Sequence, residues 1–409
     1  MVKIGVLTEY DEFLIDLDDL SDTDIQIFKL FTERGKGFSF KTSNRVGLIK
    51  TKGTVGMIQL STQVLKIEPK IKRFSPYIIP MLLLTNQIRM DDVYEYYTDG
   101  LDSIFEFIVR EFVLRVKQIQ KNRIKHDYTS VESIETKITG QLHILDTYVT
   151  SAGLFHKFAV SKDEYSSNVL ENKIILTMLK YLQHFDVSEA LGTELLLATE
   201  YFTSVATTTK IDGDLLSEVR YNRDNWYYEP AITFAKFILN NTYNSNLSVG
   251  SLPVPSFVIS MPHLIEKLIE KLLRFELESQ GITVKSQDKI PIKTSSKMEI
   301  MIKPDLTLYY DGKILPIDIK YKVYDEEKPP NADIYQGFFS ASMHIGQAVI
   351  LQMMDLEDTI LTFNGSLHQV KINIFCFDVV QAMKERMEGK NDYIVTFSKK
   401  LKRLIIEHE

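Results

Sequence analysis

The sequence of 409 residues predicts a multidomain protein of mixed α+β and α/β class, because its pattern changes twice along the chain. Residues 1–95 contain short apolar runs separated by glycine-containing turns, which indicates a small β-rich domain. Residues 96–255 carry apolar side chains at helical spacing, which indicates a mostly helical middle region. Residues 256–409 alternate helix-like and strand-like segments, which is typical of an α/β domain.

Elements of the first region follow from β-branched and aromatic runs that end at turn residues. The predicted strands are Val2–Leu7, Phe38–Phe40, Val46–Lys50, Thr54–Leu60 and Val64–Pro69. A helix is predicted at Ile25–Thr32 within the same domain. Together these elements form a compact β-rich unit with little helix.

Elements of the other regions follow from helical periodicity and from apolar runs. The predicted helices are Leu101–Lys125, Asn168–Tyr181, Glu229–Leu239, Pro262–Gln280, Asp333–His344, Asp378–Lys390 and Ile394–Ile406. The predicted strands are Pro304–Tyr310, Lys313–Tyr321, Ala348–Met353 and Lys371–Phe377. Asn240–Pro255 is polar and interrupted by proline, so it is interpreted as a linker.

The composition is ordinary for a globular protein, with 44% hydrophobic and 25% charged residues. A single cysteine, Cys376, excludes an intrachain disulfide and a cysteine zinc cluster. The start of the chain does not resemble a signal peptide, and no apolar run reaches the ~20 residues of a membrane helix. We therefore expect a cytoplasmic protein that does not contact a membrane.

The net charge of −7 is concentrated at one end of the chain. Residues 1–24 contain eight acidic residues and one basic residue, Lys3, so this segment alone sums to −7. The remaining residues contain 47 acidic and 47 basic side chains and are neutral overall. The global charge therefore neither favours nor excludes nucleic-acid binding, but it indicates a local acidic strip.

The dipeptide Asp311-Gly312 between two apolar runs predicts a two-residue hairpin turn of type I′. This turn sets a register in which Asp305 lies directly opposite Asp318. Because side chains alternate across a sheet, Asp305, Asp318 and Lys320 share one face. The apolar face is then formed by Leu306, Leu308, Leu315, Ile317 and Ile319.

The two opposed carboxylates indicate a metal site in the C-terminal region. Like charges directly across a strand pair destabilise a sheet, and a hard cation such as Mg²⁺ would compensate them. Lys320 on the same face can stabilise charge that develops on a phosphate. Carboxylates, a divalent cation and a lysine are the groups that phosphodiester hydrolysis requires. The alternative interpretation of these residues is a charged surface hairpin.

Two further polar residues flank this hairpin in the sequence. Glu266 lies on the preceding helix beside its apolar stripe, although an acid on a helix is most often solvated. Gln336 lies near the start of the helix that follows the second strand. A glutamine at this place can hold a water or a phosphate oxygen, and a plain surface position is equally consistent with it.

These residues resemble the motif of the PD-(D/E)xK nuclease superfamily, here Pro304-Asp305 followed by Asp318-Ile319-Lys320. Over nearly its whole length the chain also resembles the McrC family, the nuclease subunit of McrBC-type modification-dependent restriction systems. The other matching segments are Glu9-Tyr10-Asp11, Ile138-Thr139-Gly140-Gln141-Leu142, Asn172-Lys173-Ile174-Ile175, Leu264-Ile265-Glu266, Tyr321-Lys322 and Asp333-Ile334-Tyr335-Gln336.

The resemblance implies a restriction-endonuclease-like PD-(D/E)xK domain over residues 256–409. It implies that Asp305, Asp318 and the helix acid Glu266 bind Mg²⁺, that Lys320 is the catalytic lysine, and that Gln336 is an active-site glutamine. The implied activity is Mg²⁺-dependent cleavage of double-stranded DNA in a system directed at 5-methylcytosine-type modification.

The resemblance also implies a partner, a McrB-like AAA+ GTPase oligomer that contacts the N-terminal domain and is stimulated by this chain. The sequence lacks a G-x-x-x-x-G-K-[ST] phosphate loop, so GTP is expected on the partner and not on this chain. Because the acidic strip lies in the domain assigned to docking, we expect it to face protein and not DNA.

Basic residues near the hairpin and on the long helix are candidate DNA contacts, because phosphate contacts come mainly from lysine and arginine. The candidates are Lys285, Lys289, Lys293, Lys297 and Lys303 before the hairpin, and Arg115 and Arg123 on the basic helix. A solvated helix face explains the last two equally well. Trp226-Tyr227-Tyr228 can stack a base, but packing between helices is the favoured interpretation.

Two other functions remain open from the sequence. One is a non-catalytic assembly or GTPase-activating subunit, against which the intact set of two aspartates and a lysine argues. The other is a stand-alone PD-(D/E)xK nuclease, which would leave the large N-terminal two-thirds of the chain without a use.

Overall fold

The computed structural model describes residues 3–33, 38–43, 45–61, 63–85, 100–150, 156–185, 187–241, 256–292, 300–322, 330–353, 357–364 and 369–406. The chain divides into two compact units. The first unit combines Met1–Leu101 with Val258–Glu409, and the second is Asp102–Phe257. The first and last of the three regions inferred from the sequence therefore share one unit. Sequence patterns are local, so they do not reveal contacts between distant segments.

The N-terminal part of the first unit is β-rich, as predicted. Its strands are β1 (Lys3–Thr8), β2 (Glu12–Asp16), β3 (Phe38–Ser43), β4 (Val46–Thr51), β5 (Thr54–Gln59) and β6 (Gln63–Glu68), and its helices are α1 (Asp22–Glu33) and α2 (Ile78–Thr85). Strands β2, β4 and β3 form an antiparallel sheet, and β6 pairs with β1 in parallel and with β5 in antiparallel. Every strand and the helix predicted for this region are present.

The acidic strip at the start of the chain is not uniformly exposed. Glu9 and Asp24 are buried, and Asp24 accepts hydrogen bonds from the backbone and hydroxyl groups of Ser21 and Ser61. The exposed acidic residues of the segment are Asp11, Glu12, Asp16, Asp18, Asp19 and Asp22. Two of the eight acids thus have internal roles, which charge counting did not separate from the rest.

The second unit contains helices and one small sheet. Its elements are α3 (Gly100–Asn122, which begins in the first unit), β7 (Asp127–Glu135), β8 (Gln141–Leu142), α4 (Ile144–Thr150), β9 (Phe158–Ser166), α5 (Leu170–Leu182), α6 (Glu189–Thr203), α7 (Gly213–Glu218) and α8 (Glu229–Asn241). The three helices predicted here are present. The antiparallel sheet β7-β9-β8 was missed, because no residue of β7 is buried and the strand has no apolar face to recognise.

A buried polar network anchors the start of α5. Asn172 is fully buried, donates to the backbone carbonyls of Lys125 and Ser167 (3.0 and 2.7 Å), and accepts from the Tyr228 hydroxyl (2.6 Å). Tyr228 therefore has a packing role, in agreement with the favoured interpretation, whereas its neighbour Trp226 is largely exposed.

The remainder of the first unit is an α/β domain. Its elements are β10 (Ser256–Ser260), α9 (Met261–Glu278), β11 (Thr283–Ser286), β12 (Ile290–Ile292), β13 (Ile300–Ile302), β14 (Leu306–Tyr310), β15 (Lys313–Lys320), α10 (Asn331–Ser342), β16 (Gln347–Gln352), β17 (Thr359–Asn364), β18 (Gln369–Cys376), α11 (Val379–Met387) and α12 (Asp392–Ile406). All the helices and strands predicted for this region are present. Five further strands in it were not predicted, namely β10, β11, β12, β13 and β17, each of which has at most six residues.

A six-stranded mixed sheet of order β11-β14-β15-β16-β18-β17 forms the core of this part. Helix α10 packs on β16 and β18, where Gly337 approaches the side chains of Ile350 and Ile372. Helices α9 and α12 pack on each other and on the β11, β14 and β15 side of the sheet. Strand β10 instead joins the N-terminal sheet beside β5, which ties the two parts of the first unit together.

The hairpin β14–β15 has the predicted turn and register. Asp311 and Gly312 both have positive φ (45° and 74°), as a type I′ turn requires. Tyr310 pairs with Lys313, and Leu306 pairs with Ile317. All five residues of the predicted apolar face are buried: Leu306, Leu308, Leu315, Ile317 and Ile319.

Among the described residues, no helix is both long and apolar enough to cross a lipid bilayer.

Candidate active site

Asp305 and Asp318 lie close together, but not as a regular ladder pair. Strand β14 begins only at Leu306, so Asp305 precedes it. The Oδ2 atom of Asp305 instead accepts a hydrogen bond from the backbone N–H of Ile319 at 2.7 Å. The predicted juxtaposition is present, and the exact strand pairing predicted for Asp305 is replaced by this bond. The negative charge of Asp305 contributes to a raised pKa at Asp318.

Lys320 and Gln336 complete a hydrogen-bonded cluster around Asp318. The Lys320 ammonium contacts Asp318 Oδ2 and donates to Gln336 Oε1 at 3.1 Å. Gln336 Nε2 in turn donates to Asp318 Oδ1 at 3.1 Å. The helix α10 therefore brings a residue distant in sequence onto the carboxylate and the lysine of β15, as the sequence motif predicted.

Charge and burial shift the proton affinity of this cluster. Burial, reinforced by the negative charge of Asp305, raises the pKa of Asp318 to about 6, although Lys320 opposes the shift. Burial acts to lower the pKa of Lys320, but the hydrogen bond and charge of Asp318 outweigh burial and raise it. The lysine is therefore a permanent cation beside a carboxylate that is costly to ionise.

Glu266 on α9 faces the same cluster. Burial, together with the nearby charges of Asp305 and Asp318, raises its pKa to about 7, against the effects of Lys320 and Lys303. The neighbouring Glu270 is instead bound by Arg274 at 2.5 Å. The structure thus distinguishes the two glutamates of this helix, since Glu266 lies near the cluster and Glu270 forms an ion pair with Arg274. Helical periodicity alone could not make this distinction.

Two supporting residues, Gln287 and Asp333, were not assigned a role from the sequence. Gln287, with a positive φ of 51°, donates through Nε2 to Asp305 Oδ1 at 3.0 Å. Asp333 is buried, accepts two hydrogen bonds of 2.9 Å from Lys322, and lies 3.6 Å from the Lys320 ammonium. The i, i+3 spacing of Asp333 and Gln336 on α10 was a usable signal, whereas nothing in the sequence marks Gln287.

The chemistry of these donors fits a divalent cation. Asp318 Oδ2 is buried, and it accepts no directed hydrogen bond from the described residues although it contacts Lys320. Mg²⁺ is typically held by one or two carboxylates and keeps several waters. Asp305 and Asp318 provide these two carboxylates. The described part of the chain contains no group of three or more His, Cys, Asp or Glu side chains preformed to hold a metal. Glu266 as a third ligand therefore stays a prediction.

A pocket of about 200 Å³ opens beside the cluster. Its polar walls include Lys303, Asp318 and Gln336, and Pro316 and Phe339 contribute apolar walls. The pocket is smaller than the ~300–1,000 Å³ of sites that enclose a whole small-molecule ligand. Its size suits a hydrated cation and a phosphate group of a longer substrate.

The predicted DNA contacts fare differently. Lys285, Lys289, Lys303 and Arg123 are exposed, although Lys285 also contacts Asp288 at 3.4 Å. The prediction that Arg115 contacts DNA is wrong. This residue is only 8% exposed, and its guanidinium donates to Glu111 at 3.0 Å within α3. The remaining two candidates lie outside the described residues, namely Lys293 and Lys297.

Residues 49–351 match a family model described as McrBC 5-methylcytosine restriction system component, a match that spans most of the chain. The chain belongs to this McrBC family. The resemblance to McrC inferred from the sequence motifs is thereby confirmed at the level of the family. Comparison with curated protein sequences found no significant match for this McrBC family member.

Two solved structures resemble the McrBC family member described here. The first is described as a refined half-complex from the tetradecameric assembly of Thermococcus gammatolerans McrB AAA+ hexamers with bound McrC, with a TM-score of 0.58, 16% identity, and coverage of 95% of this chain and 100% of that chain. The second is described as the cryo-EM structure of the Thermococcus gammatolerans McrBC complex, with a TM-score of 0.46, 17% identity, and coverage of 67% and 88%. At such identities the first match shows a shared fold.

The raised pKa of Glu266 predicts a pH-dependent stability in metal-free protein. Its folded-state pKa of about 7 exceeds the ordinary 4.5, so between these values the folded chain binds more protons than the unfolded chain. Stability from this group is present at low pH and is lost as pH rises through 7. We expect Glu266→Gln to reduce the fall in melting temperature between about pH 5 and about pH 8, measured by calorimetry with chelator.

The matched control for this measurement is Glu270→Gln, on the same helix but bound by Arg274. It should leave the pH slope close to that of the unmodified chain. Equal slopes in all three proteins would show that Glu266 is not a proton-binding group of the site.

Proposed function

We propose that this McrBC family member is the Mg²⁺-dependent DNA endonuclease subunit of a GTP-driven, 5-methylcytosine-type restriction complex. The observation that carries the proposal is a cluster of four side chains at the open end of the β14–β15 hairpin, formed by Asp305, Asp318, Lys320 and Gln336. The order α9, β11, β14, β15, α10, β16 around them agrees with the αβββαβ core of a PD-(D/E)xK nuclease. In the proposed role the chain also stimulates the GTPase of an AAA+ partner.

In this proposal Asp305 and Asp318 hold Mg²⁺, with Glu266 as the third acid nearby. When bound, the cation supplies an activated water and neutralises charge on the scissile phosphate. The chain's own carboxylates must be ionised to hold the cation, so the raised pKa values of Asp318 (about 6) and Glu266 (about 7) make binding weaker as the pH falls below neutral.

Lys320 stabilises the substrate phosphate in the proposed reaction. Its ammonium lies between Asp318 and Asp333, at 3.6 Å from the latter, and Gln336 holds its direction. A fixed cation at the place where negative charge develops lowers the barrier without reorganising at the moment of reaction. Exposed Lys285, Lys289 and Lys303 on the same domain provide phosphate contacts for double-stranded DNA.

The proposed partner is a McrB-like AAA+ GTPase. Membership of the McrBC family and the shared fold with the McrB–McrC half-complex support this assignment. The absence of a G-x-x-x-x-G-K-[ST] segment from the sequence of this chain supports placing GTP on the partner.

The deciding experiment combines the purified chain with its AAA+ GTPase partner, Mg²⁺, GTP and DNA containing 5-methylcytosine. The proposal predicts cleavage that requires all four. GTP turnover stimulated without any cleavage would favour a non-catalytic activating subunit. Cleavage that is complete without the GTPase would favour a stand-alone nuclease.

Neutralising the exposed acidic residues Asp16, Asp18 and Asp19 is expected to weaken binding to the GTPase partner. Exposed charges at an interface act mainly on the association rate, so we expect an affinity loss of about fivefold at low salt and less at high salt. The triple substitution to Asn keeps the Asp16 side-chain cap of the following turn, since Asn can accept the same bond. Association kinetics with the immobilised partner measure the effect.

A control with the same change of charge replaces exposed acids of the α/β domain, namely Asp311, Glu388 and Asp392. This control should bind as the unmodified chain does. If the N-terminal triple variant also binds normally at low salt, the acidic strip does not contact the partner.

A further inference from the structure

The segment after β6 contacts the ends of two strands of the α/β domain. Lys70 Nζ donates to the backbone carbonyl of Tyr321 at 3.0 Å, and Arg73 Nη2 donates to that of Met353 at 3.0 Å. Tyr321 directly follows β15, and Met353 directly follows β16. These strands are neighbours, and Lys320 pairs with Gln352 at their ends. Two cationic side chains of the N-terminal part thus bind the C-terminal ends of β15 and β16, two central strands of the sheet that carries the candidate active site.

A buried carboxylate strengthens the first of these contacts. Glu9, just after β1, is 3% exposed and accepts hydrogen bonds from the Tyr321 hydroxyl (2.7 Å) and the Lys70 backbone N–H (3.1 Å). Its second oxygen, Oε1, has no hydrogen-bond partner among the described residues. The Lys70 ammonium lies 4.3 Å from the centre of the Tyr10 ring and 4.7 Å from that of Tyr321. We call Glu9, Lys70 and Tyr321 the Glu9 cluster.

Holding two segments together through the Glu9 cluster costs desolvation free energy. A buried carboxylate and a partly buried ammonium lose hydration, and apolar side chains of similar volume would give equal or greater stability. Burial raises the pKa of Glu9 and lowers that of Lys70, which reports the same cost. Directional bonds from two sides, however, define the position of the Tyr321 backbone and ring in a way that apolar packing does not.

The position of Tyr321 matters because it adjoins Lys320. The Lys320 side chain leaves β15 at its last residue, which is the last one paired with β16, whereas Tyr321 already lies beyond the strand. Its ammonium must lie against Asp318 and Gln336. A shift of the backbone at Tyr321 would move this ammonium relative to the carboxylates.

We propose that Glu9 and Lys70 are positioning residues, which hold the end of β15 so that Lys320 is directed at the cleavage site. The proposal rests on the proposed nuclease function, and it goes further by making the N-terminal β-rich part a structural component of the nuclease site. A domain that contacts a partner and also holds the catalytic strand end is a direct physical link between the two.

The test compares Lys70→Met with Lys72→Met, an exposed lysine two residues later, in the full chain with its GTPase partner. We expect Lys70→Met to lower the kcat of DNA cleavage by about tenfold to a hundredfold, the range seen when a supporting residue is removed. The KM for DNA, the half-saturating Mg²⁺ concentration and the stimulation of GTP hydrolysis should stay unchanged. Lys72→Met should behave as the unmodified chain, and Lys70→Arg should restore most of the rate.

The cluster itself is tested by a double-mutant cycle of Glu9→Gln and Tyr321→Phe. Because Glu9→Gln removes the charge of the acceptor and Tyr321→Phe removes the donor of one hydrogen bond, their effects on kcat should be strongly non-additive. Additive effects, an unchanged kcat in Lys70→Met, or a loss of GTPase stimulation together with cleavage would each overturn the proposed positioning role.

A readout that does not depend on cleavage separates this proposal from the proposed function. Hydrogen exchange of the peptide covering residues 318–322 should be faster in Lys70→Met than in Lys72→Met, since the strand end is released. If the unmodified complex hydrolyses GTP but cuts no DNA, the nuclease function fails, and exchange alone decides whether Lys70 holds the strand. Unchanged exchange overturns the proposal whatever the cleavage result.

Discussion

Replacing Asp318 by Asn is expected to reduce the rate of DNA cleavage by about a thousandfold. A carboxylate that helps to hold Mg²⁺ supports several kcal/mol of transition-state stabilisation, and each ~1.4 kcal/mol is a factor of ten in rate. Asn keeps the shape of Asp318 and can still accept from Gln336, so the substitution removes charge with little change in packing. Single-turnover cleavage of 5-methylcytosine DNA by the complex with GTP and Mg²⁺ measures the loss.

The matched control for this variant is Asp311→Asn at the tip of the β14–β15 hairpin. Asn-Gly is at least as suitable as Asp-Gly for a type I′ turn, so this change removes one charge and preserves the register. It should cleave normally, and both variants should stimulate GTP hydrolysis as the unmodified chain does. Cleavage by Asp318→Asn at the unmodified rate would contradict the assignment of the whole site.

Replacing Lys320 by Met is expected to lower the cleavage rate by about a hundredfold to a thousandfold. This is the usual effect of removing a single positioned group that stabilises the charge developing in the transition state. The expected effect on Mg²⁺ has the opposite sign to that of Asp318→Asn. Because the Lys320 ammonium contacts Asp318 Oδ2, its removal frees an oxygen for the cation and increases the negative charge of the site. Mg²⁺ should therefore raise the melting temperature of Lys320→Met at least as much as that of the unmodified chain.

Lys313→Met provides the control on the same strand, at the end away from the cluster. It removes a bond to the carbonyl of Ile406 (3.2 Å) and should affect stability but not the cleavage rate. Failure of Mg²⁺ to stabilise Lys320→Met would show that the lysine supports the fold of the site, and a normal cleavage rate would remove it from the chemistry.

The hairpin at the centre of the site was predictable because its determinants are local. Asp311-Gly312 selects the turn, the turn sets the register, and the apolar alternation along β14 and β15 gives the buried face. Gln336 could be predicted from the sequence only through a motif, because its contact with Asp318 joins two different elements, β15 and α10. The proximity of Asp305 to Asp318 was predicted correctly, but β14 starts one residue after Asp305, which accepts a hydrogen bond from the Ile319 N–H instead of pairing with Asp318.

Other features required information that a linear pattern does not contain. Arg115 occupies a basic helix face in sequence, yet it is buried with Glu111, because burial of a charge depends on what packs against the helix. Strand β7 has no buried residue, so its pairing with β9 left no hydrophobic periodicity to recognise.

Local sequence patterns of this chain, namely turn residues and hydrophobic periodicity, therefore specify most element types, the hairpin and the chemical character of the candidate site. The assembly of the first unit is set by non-local contacts: β10 extends the N-terminal sheet, and the Glu9 cluster holds the end of β15. The physical reason is that hydrophobic periodicity and turn preferences act over a few residues, whereas the hydrogen bonds from Glu9 and Lys70 to Tyr321 join segments about 250 to 310 residues apart.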